Sequence, residues 1–289
     1  MTVLLANVIE MYRDHMQGID RSPETIDIYT KDLRAFQRHL EESQNGPAYL
    51  EDVTTADIEG FLRMLKDVKN YAPNSRSRNH YTIQAFYKFA YKKELVPRNV
   101  ALSVEPVRLP KKERQHLTER EVAQLAAEIE HDLVRLVVMF LYHTGLRISE
   151  CLKLTLADVD LDAGVIRVLA GKGNKDRTVP ISDKLRPQLA DYRDNWRDAY
   201  GSDRFFATKK TGRLSAVYVN HTIGEAVQRL GWDKKVSCHI MRHSFASNIV
   251  RKNVGLVQIQ KLLGHSSLAV TSVYTHTNLD QLTDAVNAL

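Results

Sequence analysis

The sequence lacks the features that mark membrane, disulfide-rich or disordered proteins. Its two cysteines, Cys151 and Cys238, have neither framework nor metal-ligand spacing, so we expect buried free thiols in a reducing compartment. The longest apolar stretch, residues 133–142, contains Arg135 and is far shorter than the ~18 residues of a transmembrane helix. There is no internal repeat or low-complexity tract, and 43% apolar residues suit ordinary folded cores.

Targeting and nucleotide-binding signals are missing as well. The opening segment MTVLLANVIEMYRDH has no basic region and no small-residue cleavage site, which argues against a signal peptide. The chain contains no P-loop and no cluster of carboxylates suited to two metal ions. These absences predict a cytoplasmic protein that does not act at a membrane.

Basic residues are unevenly distributed along the chain. The net charge is +6, and residues 1–110 are balanced, with fifteen basic and fifteen acidic residues. Within that part, residues 41–60 carry six acids and no Lys or Arg, whereas residues 60–93 carry eight basic residues and one acid. This distribution favours a basic face that attracts the phosphate backbone of a nucleic acid. The alternative interpretation is a charged face that is merely solvated.

Two domains are predicted, joined by a short linker. Residues 1–105 have helical apolar spacing, with Ser22-Pro23-Glu24 as a helix start and a capping box at Thr54. Residues 106–116 contain two prolines and a basic cluster, which indicates a linker that lies along DNA through Lys111 and Lys112. Residues 117–289 form the second domain.

The fourth predicted helix, from about Asn74 or Ser75, has a core face and a basic face. Its apolar stripe is Ile83, Phe86, Tyr87 and Ala90. Off this stripe we place four candidate contacts to the DNA backbone: Arg76, Arg78, His80 and Lys88.

The second domain is expected to be helical with one β-hairpin. A capping box at Thr118 opens it, and Gly145 is the predicted end of its second helix. Residues 165–169 and 177–181 cluster β-formers around AGKGNKD and predict a hairpin. Helices are predicted for residues 183–198, 215–230, 237–253, 256–263, 267–275 and 278–288.

Four segments together contain the residue types needed to cut a phosphodiester: HTGLR, GKGNKDR, HIMRHSF and GHSSLAVTSVY. Arg147 and Arg242 suit a phosphate clamp, because a guanidinium group stays charged and can bind two oxygens. His239 and Arg242 are three residues apart, so one helical face presents both. Glu150 is three residues after Arg147, where the same helix face would let it orient that arginine or a histidine.

In their order and spacing, these segments resemble the tyrosine recombinases of the Xer and phage-integrase family, from about Ala6 to the C-terminus. The resemblance implies a mainly helical fold with a small β-sheet, in which a SAM-like core-binding domain and a catalytic domain form a C-shaped clamp on DNA. It implies that Tyr274 is the nucleophile, His239 accepts its proton, and His265 donates a hydrogen bond to the phosphoryl oxygen. Lys172 would protonate the leaving oxygen, with Lys175 as its competitor or a DNA contact.

The resemblance also implies the reaction and the partners. Strands would be exchanged through a 3′-phosphotyrosyl intermediate and a Holliday junction, without metal, ATP or another cofactor. The partners would be double-stranded recombination sites, with a homotetramer or a hetero-pair on the DNA, and an accessory protein where one is needed. Two alternatives stay open: a type IB topoisomerase-like enzyme that relaxes DNA, and a non-catalytic DNA-binding regulator derived from a recombinase.

Overall fold

The first unit of the chain, Met1–Lys112, is built from helices, two of which begin at the predicted capping residues. Ser22 caps the second helix by accepting a hydrogen bond from the Thr25 N–H, with Pro23 in the first turn. Thr54 and Asp57 form the predicted capping box of the third helix. The helices are α1 Leu5–Gly18, α2 Pro23–Gln44, α3 Thr55–Asp67 and α4 Pro73–Lys92, followed by a 3-10 turn, Val100–Ser103.

The predicted stripe on α4 is the centre of the first core. Ile83, Phe86, Tyr87 and Ala90 are all fully buried, so the core prediction is confirmed. The helix begins at Pro73, slightly before the predicted start, because a proline at the first helical position is preorganised for the helix. An aromatic cluster around Phe86 completes this packing against α1.

The second unit, Glu113–Leu289, has its own core of helices around a small sheet. The Thr118–Glu121 capping box and the left-handed Gly145 are present as predicted. The helices are α5 Glu119–Glu128, α6 Asp132–Thr144, α7 Ile148–Cys151, α8 Arg186–Asp191, α9 Ala216–Arg229, α10 Cys238–Arg251 and α11 Leu256–Leu263.

The sheet has one strand more than the predicted hairpin. Strands β2, Val165–Val168, and β3, Arg177–Pro180, pair antiparallel with Val168 opposite Arg177, which confirms the hairpin. A two-residue strand β1, Val159–Asp160, adds to β2 and was not predicted because it is too short to show alternation. The helix predicted over residues 183–198 is α8 followed by a π-helical turn, Tyr192–Trp196.

The computed structural model describes residues 3–110, 115–169, 176–197, 201–252 and 254–264. Within these ranges, the predicted mainly helical fold with a small β-sheet is confirmed. The helices predicted for residues 267–275 and 278–288 lie outside the described residues. Both cysteines are buried and unpaired, as expected. No helix within the described ranges is sufficiently long and apolar to cross a bilayer.

Candidate active site

Arg147 lies where the chain leaves α6 and enters α7. Gly145 ends α6 in the left-handed conformation, at φ 66°, and Arg147 is the residue that precedes the first turn of α7. The carboxylate of Glu150 accepts hydrogen bonds from the Arg147 backbone N–H at 2.8 Å and from its Nη1 at 2.9 Å. The expected contact between Glu150 and Arg147 is therefore present, and it forms because Glu150 caps a helix start at Arg147 and not because both lie within one helix.

Glu150 is a largely buried carboxylate that contacts two arginines. Its side chain is 12% exposed, and both of its oxygens also accept bonds from Arg177, at 3.0 Å from Nη1 and 2.8 Å from Nη2. Burial raises the pKa of Glu150, but the hydrogen bonds and charges of Arg177 and Arg147 outweigh burial and lower the pKa from 4.5 to about 2. The carboxylate is thus ionised at neutral pH.

Arg177 is a site residue that the sequence interpretation did not single out. It is the last residue of GKGNKDR and the first of β3, and its Nε donates to the backbone carbonyl of Leu262 at 3.0 Å. The signal was present in the alternation of the strand, because Arg177 shares its face with the buried Val179. An inward-facing arginine in a strand needs a partner such as Glu150.

Arg242 on α10 joins the ends of two other helices. Its side chain is buried, with Nη1 donating to the carbonyl of Gly145 at 2.7 Å and Nη2 donating to that of Leu263 at 2.8 Å. Gly145 ends α6 and Leu263 is the last residue of α11, so the guanidinium lies at the negative ends of both helix dipoles.

His239 is on the same helix, one turn before Arg242. It is exposed, and its ring lies 5.1 Å from that of His243 in an edge-to-face arrangement. The helix α10 therefore carries both predicted residues, one at the surface and one inside.

Several predicted site residues lie outside the described residues. They are Lys172 and Lys175 of the hairpin, His265, Tyr274, and the linker residues Lys111 and Lys112. Gly264, the last described residue, immediately precedes His265 in the sequence. Among the residues that are described, no group of three or more His, Cys, Asp or Glu side chains is arranged to hold a metal ion.

Comparison with known families gives the two units separate matches. Residues 115–281 match the Phage integrase family, and residues 9–94 match the Phage integrase N-terminal SAM-like domain. The first match alone covers more than half of the chain. The chain belongs to the phage integrase family of tyrosine recombinases. It is thus an Xer-like tyrosine site-specific recombinase.

Relatives of this recombinase match over nearly the full length. It is 32% identical to a tyrosine recombinase of Thermosipho africanus, over 98% of this chain and 99% of the relative. It is 33% identical to the tyrosine recombinase XerC of Myxococcus xanthus, over 96% of this chain and 95% of the relative. A lambda integrase tetramer bound to a Holliday junction shares the fold, with a TM-score of 0.77, 20% identity, and coverage of 92% of this chain and 78% of the integrase.

The recombinase's four DNA-contact candidates on α4 differ in exposure. Lys88 is exposed, and Arg78 is 46% exposed while its Nε and Nη2 donate to the nearly buried carboxylate of Asp32, at 2.9 and 2.8 Å. Arg76 is half-buried. His80 is 2% exposed, and burial lowers its pKa.

The assignment of His80 as a contact to the DNA backbone is therefore wrong. His80 stands three residues before Ile83 and seven before Tyr87, so helical periodicity puts it on the buried face of α4. A ring enclosed in the core has no surface to offer a phosphate. Arg76, Arg78 and Lys88 keep accessible side-chain surface.

Proposed function

We propose that this recombinase cuts and rejoins DNA at specific sites by transesterification through Tyr274. The phenolic oxygen attacks the scissile phosphate and forms a 3′-phosphotyrosyl bond, and the P–O bond to the 5′ oxygen breaks. The released 5′ hydroxyl carries the proton that it receives from Lys172. Attack by the 5′ hydroxyl of the partner strand reverses the step, so strands are exchanged without hydrolysis, metal ion or ATP.

The observation that carries this proposal is the set of hydrogen bonds joining the motif segments. Arg242 bonds to Gly145, 97 residues earlier, and to Leu263, 21 residues later. Arg177 bonds to Glu150, 27 residues earlier, and to Leu262, 85 residues later. Parts of HTGLR, GKGNKDR, HIMRHSF and the segment leading to His265 therefore meet around three guanidinium groups.

The arginines are suited to stabilise the charge that develops on the phosphate. Arg147 and Arg242 are our candidates for binding the non-bridging oxygens, where donors held in place act on the transition state. Because Arg177 also pairs with Glu150, the carboxylate does not cancel the charge of Arg147. The described cluster of Arg147, Arg177 and Glu150 retains one net positive charge.

The nucleophile needs a proton acceptor. An ordinary tyrosine has a pKa of about 10, so only ~0.1% is ionised at neutral pH. We assign His239, exposed on α10, to accept the proton of Tyr274. His265 would donate a hydrogen bond to the phosphoryl oxygen, and Lys175 is the competitor of Lys172 for the leaving group.

The proposed partners are double-stranded recombination sites and further recombinase subunits. The related lambda integrase forms a tetramer on a Holliday junction, and we propose the same assembly here, as a homotetramer or a hetero-pair. Accessible basic residues would contact the DNA backbone: Arg76, Arg78, Lys88, Lys111, Lys112 and Lys175. The buried free thiols suit the reducing cytoplasm.

Covalent trapping tests this function. The protein is incubated in EDTA with nicked suicide duplexes made from a fragment pool of its source genome, and adducts are resolved on a denaturing gel. We expect an adduct with the wild type and none with Tyr274→Phe. Tyr218→Phe, at an exposed tyrosine of α9, is the matched control and should retain the adduct. An adduct that survives Tyr274→Phe, or DNA binding without any adduct, would contradict the proposal.

A further inference from the structure

We infer that Arg177 is a positioning residue for the strand-exchange reaction, holding Arg147 and the segment before His265 in the geometry that the reaction needs. The inference rests on the proposed function of Arg147 and His265. It assigns a role to a residue that follows the lysine hairpin in the sequence and contacts the partner of a proposed phosphate-binding arginine.

The guanidinium of Arg177 donates hydrogen bonds to two separate segments of the chain, one at Glu150 and one at Leu262. Nη1 and Nη2 donate to the two carboxylate oxygens of Glu150, at 3.0 and 2.8 Å, while Nε donates to the carbonyl of Leu262 at 3.0 Å. A bidentate pair fixes orientation as well as distance. A lysine has one nitrogen and cannot reproduce this three-point contact.

Hydrogen bonding distinguishes the role of Arg177 from that of Arg147. The Arg177 side chain is 8% exposed and that of Arg147 is 37% exposed, and both contact the carboxylate of Glu150. The Nε, Nη1 and Nη2 atoms of Arg177 all donate to Glu150 or Leu262, so its guanidinium is directed at protein partners. Arg177 therefore acts through Glu150, whose other bonds hold the backbone and the guanidinium of Arg147.

A second contact links Arg177 to the end of α11. Gly264 adopts a φ of +66°, and a Cβ built there would lie 3.0 Å from Nη1 and 3.1 Å from Cδ of Arg177. Backbone and guanidinium are thus packed as closely as a glycine allows. Arg177 therefore contacts the last described residue of this segment, which His265 follows in the sequence.

The position of Arg177 in the sequence also connects it to the lysine hairpin. It is five residues after Lys172 in the sequence and begins β3, paired with Val168 of β2. One side chain therefore anchors the strand that follows the lysine segment to both Glu150 and α11.

The experiment compares Arg177→Lys with Arg229→Lys. Arg229 is a matched control, since its Nε and Nη2 also contact a glutamate carboxylate and a backbone carbonyl, both of Glu128, away from the motif segments. Single-turnover adduct formation is measured on a suicide duplex carrying the trapped site, at saturating protein. DNA affinity and thermal unfolding are measured for each variant. Glu150→Gln and the double variant with Arg177→Lys complete a double-mutant cycle.

We expect Arg177→Lys to bind DNA within about threefold of wild type but to form adduct ~10- to 100-fold more slowly, because small misplacements cost rate more than binding. Glu150→Gln should slow the same step, and the double variant should be far less impaired than the product of both effects. Arg229→Lys should react at the wild-type rate.

A wild-type rate for folded Arg177→Lys would overturn the inference, as would multiplicative effects in the double variant. If Arg177→Lys does not fold, a wild-type rate for Glu150→Gln would overturn it equally. These outcomes require that the wild type forms adduct. A wild type that forms none contradicts the proposed function instead, so the two failures are distinguishable.

Discussion

Glu150 keeps a negative charge inside the catalytic unit because two arginines surround it. Its lowered pKa measures how strongly the folded state favours the ionised form. The drop from 4.5 to about 2 corresponds to roughly 3 kcal/mol, since each pKa unit is worth about 1.36 kcal/mol.

The stability of the second unit should therefore depend on pH through Glu150. A depressed pKa in the folded state stabilises the protein above the ordinary pKa, and the effect is lost as the pH falls toward 2. Glu150→Gln should lower the unfolding free energy by about 3 kcal/mol at pH 7, and the difference from wild type should shrink by about half at pH 3.

Urea unfolding followed by tryptophan fluorescence measures this difference, because Trp196 and Trp232, the two tryptophans, both belong to the second unit. Glu225→Gln removes an exposed glutamate that contacts His221 at 3.5 Å and should change the unfolding free energy by less than ~1 kcal/mol. A Glu150→Gln effect that is the same at pH 7 and pH 3 would refute the role of the ionised carboxylate.

Single residues were predictable from the sequence where chemistry alone selects them. Arginine in HTGLR and HIMRHSF was singled out because a phosphate clamp requires guanidinium groups, and the structure brings Arg242 to the HTGLR turn. Arg177 was missed because its partners, Glu150 and Leu262, are distant in sequence. His80 was misassigned because its charge was weighed above its position on the buried face of α4.

Among the secondary-structure elements, α6 and α11 each have a left-handed glycine at the C-terminal end. Gly145 and Gly264 both adopt a φ of 66°, which a residue with a side chain rarely takes. At Gly145 an added Cβ would lie 2.4 Å from Cδ1 of Phe245 and 2.9 Å from Cδ2 of Leu263. These distances are shorter than normal contacts, so a Cβ at residue 145 requires the neighbouring side chains or the backbone to shift. The carbonyl that Arg242 binds belongs to this same residue.

Gly145→Ala should therefore lower the free energy of unfolding by more than the penalty for a positive φ alone. The matched control is Gly231→Ala, since Gly231 has a φ of +64° after α9 with nothing within 4 Å of an added Cβ. We expect about 1 kcal/mol of destabilisation at Gly231 from φ alone, and an additional ~1–3 kcal/mol at Gly145 from overpacking. Thermal and urea unfolding of both variants measure the difference, and equal losses would contradict the packing described at Gly145.

Four helix boundaries were predictable because a capping residue marks each of them. Ser22, Thr54, Thr118 and Gly145 each act at the expected end, because caps are local interactions. The strand β1 and the π-helical turn after α8 were not predictable. A two-residue strand exists only through its pairing with β2, which periodicity does not reveal.

On the scale of the whole molecule, the distribution of charge predicts how DNA binding responds to salt. The charge excess lies after residue 110, where 26 basic residues exceed 20 acidic ones, and the first unit has a basic run over residues 60–93. Proteins that neutralise phosphates release counterions, so affinity falls steeply as salt rises. Exposed lysines in that run are the residues expected to contribute.

Lys88→Gln should weaken binding and lower the slope of log affinity against log salt by about 0.9, the value for one lost phosphate contact. Lys31→Gln is the control, because Lys31 lies outside the basic run and pairs with Asp27 on α2 at 2.7 Å. Fluorescence anisotropy with a labelled duplex from 50 to 300 mM salt, roughly the range in which such slopes are resolved, measures both. An unchanged slope for Lys88→Gln would remove that residue from the DNA interface.

The identity and polarity of the covalent link test the central claim most directly. The trapped protein–DNA adduct would be digested with nuclease and protease, and the modified peptide identified by mass spectrometry. We predict a nucleotide attached through its 3′ phosphate to Tyr274. Attachment to another of the twelve tyrosines, or through a 5′ phosphate, would contradict the assignment of the nucleophile and the direction of the proposed cleavage.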